Sequence, residues 1–260
     1  MARSTSGESV LERAVRILDV LNGESTSTSI TDIAAKAGLP LSTASRLIDE
    51  LICHGLLARD IERRVQIGVR LHQMGVQASA TGRLRDAARP SMADLQVAVG
   101  HHVLLGVVEN DEVTFVERMH PWRSELLDVR VATRIPVHAS ACGLAILAHA
   151  PSAVQDRVLH ATFPRYTDTT ITDARQLREA LARVRKFGFA LCPGFLNPKV
   201  TAVSVPIFGP GGTAVAALSV LLPRTDPASC SIPALTSAAQ QVTAALVASR
   251  QDKSTDTDAA

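Results

Sequence analysis

Ser29–Asp60 reads SITDIAAKAGLPLSTASRLIDELICHGLLARD, two short apolar-periodic segments that meet at Gly38-Leu39-Pro40. SITD at Ser29–Asp32 has the form of a capping box, which starts a helix whose core face is Ile30, Ile33, Ala34 and Ala37. After Gly38 a second helix is predicted to bury Leu41, Ala44, Leu47, Ile48, Leu51 and Ile52 and to stop at His54-Gly55, where glycine supplies a left-handed cap. Its polar remainder is Ser42, Thr43, Ser45, Arg46, Asp49 and Glu50. A helix that enters a DNA major groove brings its first turn close to phosphates and base edges, where bulky side chains obstruct and small hydroxyls fit. Ser42, Thr43 and Ser45 suit that approach. Ser42 and Thr43 can donate to phosphate oxygens, and Arg46, about one turn on, can reach guanine with two hydrogen bonds or grip the backbone.

Working outward, VLERAVRILDVL at residues 10–21 puts Val10, Leu11, Ala14, Ile17, Leu18 and Leu21 at helical spacing, and Asn22-Gly23 stops it. Downstream, GLLARD, IERR and VQIGV are two extended runs around a charged turn, which fits a β-hairpin carrying Arg59, Arg63 and Arg64. A helix pair alone can be mere packing, and serine or threonine near a helix start is a common cap. Three helices followed by a basic hairpin, however, is the order of a winged helix-turn-helix, and the ensemble points to double-stranded DNA.

Residues 71–99 return to helical spacing, with breaks expected near Gly82 and Pro90. If helical, residues 71–88 reach about 27 Å, enough to hold two domains apart or to pair with a second copy. Beyond Gly100 strands are predicted at HHVLLGVVE, EVTFVERM and LLDVRVAT, helices at ASACGLAILAHA and TDARQLREALARVRKFG, then strands VTAVSVPIF and AVAALSVLL joined by GPGGT. A last helix is predicted from Pro233 to about Ser249, followed by a disordered polar tail, QDKSTDTDAA, at residues 251–260.

The 260 residues carry 46% hydrophobic and 20% charged side chains and a formal charge of +2, so total charge announces neither nucleic acid nor an anionic membrane surface. Lys and Arg outnumber Asp and Glu by 11 to 9 in residues 1–85 and balance at 16 to 16 in the remainder, which places the small excess at the N-terminal end. Cys53, Cys142, Cys192 and Cys230 form no CxxC pair, which argues against a structural zinc site and suits a reducing compartment. With no signal-like opening and no apolar run long enough to span a bilayer, a cytoplasmic protein without membrane contact is expected.

SVLERAVRILDVL, GLPLSTASRL, RRVQIGVRLHQMG, RIPVHASACGLAILAH, RKFGFAL and VTAVSVPIFGPGGTAVAALSV together resemble the IclR family of bacterial transcriptional regulators, over most of residues 9–248. The resemblance implies an α+β protein: a winged helix-turn-helix at 8–70, a linker helix at 71–88 used in dimerisation, and a GAF-like α/β effector-binding and oligomerisation domain at 89–250. It implies a homodimer or homotetramer that represses or activates a catabolic operon in answer to a metabolite, with no cofactor and no catalysis. Carried over, the effector positions are Ala141 and Cys142 at a helix start and Cys192, Ala202, Ser219 and Leu221 on facing strands. Family members that bind small acids have aspartate, cysteine and serine where Cys192, Ala202 and Leu221 stand, and glutamate where Phe195 stands, so Ser219 is the matched hydroxyl. Each change removes polarity, which favours a larger, more apolar effector, an aromatic or branched organic acid.

Two rival readings come with these residues. Cys142 lies four residues after His138, so a cysteine hydrolase is conceivable, although no third orienting residue is evident and a small side chain lining a pocket is the plainer reading. A constitutive DNA-binding protein with a purely structural C-terminal domain is the other. His101 and His102 point to opposite faces of a strand, which disfavours a shared metal, and both stay unassigned. Trp122, in HPWRSE, is placed over the pocket or on the surface.

Overall fold

Val10–Leu21 forms α1, Ile30–Lys36 α2 and Leu41–Cys53 α3 in a computed structural model that describes residues 8–21, 27–77, 80–121 and 134–257. Ile17, Ile33, Ile48 and Leu47 meet in one buried cluster, each worth about 1.5–3 kcal/mol when taken out of water. Ser29 caps α2 by accepting the Asp32 amide at 3.1 Å, as the SITD pattern predicts. Gly38 (φ 63°) and Gly55 (φ 72°) turn the chain after α2 and α3 in the left-handed region, where a Cβ is strained. Three positions depart from the pattern: Leu41 is 54% exposed and Val10 and Leu11 are exposed as well, because each lies in the first turn of its helix. Leu57–Arg59 (β1) and Val65–Ile67 (β2) pair antiparallel, and Thr28 bridges Val65. The chain divides into two units, residues 1–82 and 83–260.

Val69–Gln77 (α4) and Ala80–Val99 (α5) occupy the stretch read as a linker. The helix α5 runs unbroken through Gly82 and Pro90, against expectation. Proline removes one amide donor, whereas Leu84, Ala88, Met92 and Leu95, at helical spacing on both sides of it, are anchored in the second unit's core.

In that unit His102–Glu109 (β3), Glu112–Met119 (β4), Arg134–Pro136 (β5), Ala190–Pro193 (β6), Val200–Phe208 (β7) and Ala214–Pro223 (β8) build an antiparallel sheet in the order β5-β4-β3-β8-β7-β6. Among the described residues both edge strands are short, and each ends on proline. Ala141–Leu147 (α6), Ser152–Leu159 (α7) and Ala174–Phe187 (α8) share one core with one face of the sheet, and α5 and Ile232–Thr257 (α9) share another with the opposite face. The α6 helix lies close against the strands. A Cβ on Gly106 would stand 2.5 Å from the Cys142 sulfur, and one on Gly143 would stand 2.5 Å from the Val137 carbonyl oxygen.

The α7 and β5 segments were not anticipated, whereas β6 holds Cys192 on a strand as the resemblance implies. The predicted strand LLDVRVAT lies outside the described residues, as does Trp122. The last helix runs past Ser249 to Thr257, so residues 251–257 continue it rather than forming the expected disordered tail. After Pro233 the segment has no glycine or proline, and its Arg, Gln and Lys are good helix formers.

Candidate functional site

The outer face of α3 presents Ser42, Ser45, Arg46, Asp49, Glu50 and Cys53 along one shallow depression. Thr43 is half-buried beside them. Pro40 at the helix N-cap offers no side-chain acceptor, and the first-turn amides point toward the end where an anion is favoured. Arg46 reaches Glu50 at 3.3 Å, an exposed pair of the kind that contributes at most about 1 kcal/mol and is readily exchanged for a stronger anion.

The wing residues divide into two kinds. Arg59 donates to Asp49 at 2.9 Å, tying the hairpin to α3, and to the Arg63 carbonyl at 3.4 Å, which makes Arg59 a positioning residue as well as a cation. Arg63 and Arg64 are exposed at the turn. Arg63 holds φ 60°, and Asp60 accepts the Glu62 and Arg64 amides at 2.9 Å each to fix the bend. The Asp49 carboxylate was visible in the sequence only as a polar helix position; its partner ten residues away required the hairpin to fold back.

Strand register brings most of the expected effector residues onto one face of the second unit's sheet. Cys192 pairs with Ala202, Ala202 with Leu221, and Leu221 with His102, one row across β6, β7, β8 and β3. In the next row Ser204 pairs with Ser219 and Ser219 with Leu104. The Ser204 and Ser219 hydroxyls lie 2.5 Å apart. Ala141 and Cys142 are buried in the core on this side, and Phe195 packs against it.

Burial drives the Cys142 thiol up to about 12 despite hydrogen bonds from Ser219 and the Ala217 backbone, and burial likewise raises that of Cys192. His138 is engaged elsewhere, its Nε2 lying 3.1 Å from the Pro164 carbonyl and its ring edge-on to Phe163. A protonated, buried thiol is a poor nucleophile.

Sequence reasoning missed Ser204, whose pairing with Ser219 only the register reveals, and left His102 unassigned. His102 is 3% exposed and shares the row with Leu221, while Arg118, opposite Leu104, stands on the same face. His101 instead approaches Asp226 at 3.6 Å. Among the described residues no group of three or more His, Cys, Asp or Glu side chains has metal-binding geometry, and no helix is long and apolar enough to cross a membrane.

Burial first, then the charges of Arg118, His120 and His101, push His102 down to about 4. Above pH 6.5 the imidazole is neutral whether the chain is folded or not. Below it the unfolded chain takes a proton that the folded chain refuses until about pH 4, so stability is lost across that window, by up to about 3 kcal/mol from this residue. Burial lowers His138 and His149 as well, in the same direction. Melting at pH 7 and pH 4.5 is expected to show a smaller acid-induced drop in His102→Gln than in the native chain, and equal drops would remove His102 as a source.

A winged helix-turn-helix followed by an α/β unit is the order of a one-component regulator, in which one chain carries both a DNA reader and a sensor. Residues 10–60 match the IclR helix-turn-helix domain, and residues 76–246 match the bacterial transcriptional regulator IclR C-terminal domain. The chain belongs to the IclR family of bacterial transcriptional regulators. A solved structure of an IclR homolog from Microbacterium hydrocarbonoxydans, complexed with 4-hydroxybenzoate, is 38% identical with a TM-score of 0.85, the match covering 92% of this chain and all of that one. The HTH-type transcriptional regulator XynR of Escherichia coli K12 is 29% identical over 84% of this chain and 88% of its own. BhcR of Paracoccus denitrificans, also an HTH-type transcriptional regulator, is 29% identical over 84% and 79%.

Proposed function

We propose that this DNA-binding transcriptional regulator controls a catabolic operon from a pseudo-palindromic operator and releases or engages it in answer to an aromatic carboxylic acid. The observation that carries the effector class is the row Cys192, Ala202, Leu221, apolar where small-acid binders of the family are polar, with the Ser219–Ser204 hydroxyl pair beside it. An apolar strip flanked by hydroxyls suits a ring bearing a polar group. The 4-hydroxybenzoate in the 38%-identical relative supports the same class. In this reading Ala141, Cys142, Cys192, Ala202, Ser219 and Leu221 line the effector side. Ser42, Thr43, Ser45 and Arg46 read the groove, and Arg59, Arg63 and Arg64 flank it. Residues 8–70, 71–88 and 89–250 serve as reader, linker and sensor.

The protein works in the cytoplasm as a dimer or tetramer, each dimer matching the two half-sites of its operator. Effector binding shifts operator affinity only by its differential affinity for the two arrangements of the reader domains. Catalysis has no part in this scheme: Cys142 is buried and protonated, and Cys142→Ala is expected to leave operator binding intact.

The test is a mobility-shift titration of the full-length protein on the DNA upstream of its own gene, at fixed salt, against scrambled competitor, with and without 4-hydroxybenzoate. A competitor-resistant shift whose midpoint moves with the acid is the expected result. Tight binding of glyoxylate or pyruvate with none of aromatic acids would overturn the effector class, and failure to shift any genomic fragment would overturn the regulator reading.

A further inference from the structure

We propose that Asp49 is a specificity-determining residue that works through the wing: its carboxylate, on the face of α3 read as DNA-facing, strengthens operator binding by locking Arg59 and with it the hairpin. This rests on the reading of α3 as the helix that enters the groove, and it reverses what charge alone predicts for an aspartate there, which is repulsion of phosphate.

The wing has little packing to hold its tip. Leu57 and Val65 are buried at its base, where Thr28 bridges Val65, but Ile61, Glu62, Arg63 and Arg64 are all exposed. Polar bonds therefore set where the tip stands. Asp60 accepts the Glu62 and Arg64 amides and is hydrogen-bonded to Ser27, ahead of α2. Arg59 supplies the link to α3: its Nη2 donates to Asp49 Oδ1 at 2.9 Å, while its Nη1 donates to the Arg63 carbonyl oxygen at 3.4 Å. One planar guanidinium thus spans from the reading helix to the turn.

The two carboxylates of α3 are differently placed. Arg46, the partner of Glu50, is 64% exposed and joined to it by a 3.3 Å contact, whereas Arg59 is 28% exposed and engaged at both ends. A phosphate takes Arg46 from Glu50 at little cost, but taking Arg59 from Asp49 would also free the turn. A hairpin fixed against α3 delivers Arg63 and Arg64 to the backbone in register with the bases that Arg46 reads. On DNA that lacks the base contact, a loose wing finds phosphates as well as a fixed one does. The lock therefore acts on specific binding, by sparing the complex the cost of ordering the wing.

The experiment follows the full-length protein by two readouts. Hydrogen exchange of the free protein reports the hairpin amides at residues 62–65. Asp49→Asn should speed it by about 2- to 5-fold, the scale of an exposed ion pair, and Asp49→Glu should restore part of the protection. Fluorescence anisotropy then compares a duplex that the native chain binds specifically with its scrambled form. Asp49→Asn is expected to weaken the specific duplex by about 3- to 5-fold and to leave the scrambled one unchanged or slightly tighter, since a negative charge has gone. In Arg59→Gln, where the carboxylate has no guanidinium to hold, the same Asp49→Asn change should instead tighten both duplexes. That reversal of sign separates positioning from repulsion and from plain loss of structure. Tighter specific binding by Asp49→Asn in the native background overturns the proposal, as does unchanged exchange of the hairpin amides. So does a loss that persists in Arg59→Gln and is confined to one base pair, which would make Asp49 a base reader accepting from cytosine. A native chain that binds no duplex specifically strikes the reading of α3 and the proposal with it, and the exchange readout tells that failure from a wing that Asp49 does not lock.

Discussion

Arg46→Ala is expected to lower affinity for the specific operator by roughly 10- to 100-fold while hardly changing binding to scrambled DNA, since one good two-point contact to a base is worth about 1–3 kcal/mol of discrimination. The geometry behind this is the outer face of α3, where Arg46 is flanked by Ser42, Ser45 and Glu50 and held only by an exposed ion pair. Exchanging Glu50 for guanine or phosphate costs little because that pair is solvated. Arg63→Ala should behave differently. At a hairpin turn, with its backbone at φ 60°, Arg63 is suited to phosphate, so its loss should weaken all sequences alike and reduce the salt slope by about one. Fluorescence anisotropy on specific and scrambled duplexes at several salt concentrations separates the two patterns. Equal losses for both variants on both duplexes would remove Arg46 as the base reader.

Gly106→Ala should destabilise the second unit by about 2–3 kcal/mol, the scale of overpacking in a core that cannot relax. The added methyl would stand 2.5 Å from the Cys142 sulfur and close to Val113 and Phe115, all in one buried cluster. Cys142→Ala in the same chain removes the worst of these contacts and should recover about half of the loss, so the pair is non-additive by design. Denaturant melts of the four chains (native, each single variant and the double) give the coupling directly. Additive effects would mean that α6 does not press on the sheet at this point. The outcome bears on function because the same contact fixes Cys142 against Ser219 and closes off the thiol from chemistry.

The first unit was legible almost residue by residue. Its helices are amphipathic, Ser29 caps, glycines follow α2 and α3, and the charged corner makes the wing. The misjudged residues there, Val10, Leu11 and Leu41, sit in first turns, where one side of the helix has no preceding turn to pack against. In the second unit the long strands and α8 were legible, but α7 has a weak apolar face and β6 is four residues cut off by Pro193-Gly194. Pro90 looked like a break because a local rule was applied to a helix that tertiary packing holds on both sides. His102 and Ser204 escaped for a different reason. Their strands are buried on both faces, so alternation vanishes and only cross-strand register says which way each side chain points.

The sheet's two borders have a consequence for the protein outside its folded, working state. A long flat edge offers a row of unpaired amides and carbonyls to any passing strand, which is how sheet proteins begin to aggregate. Among the described residues one border strand is three residues and the other four, and each terminates at an imide nitrogen that has no hydrogen to donate, Pro136 on one side and Pro193 on the other. Each therefore offers a short row with one donor missing. Borders this short give a crowded neighbour little backbone to zip onto, which weights encounters toward side-chain chemistry.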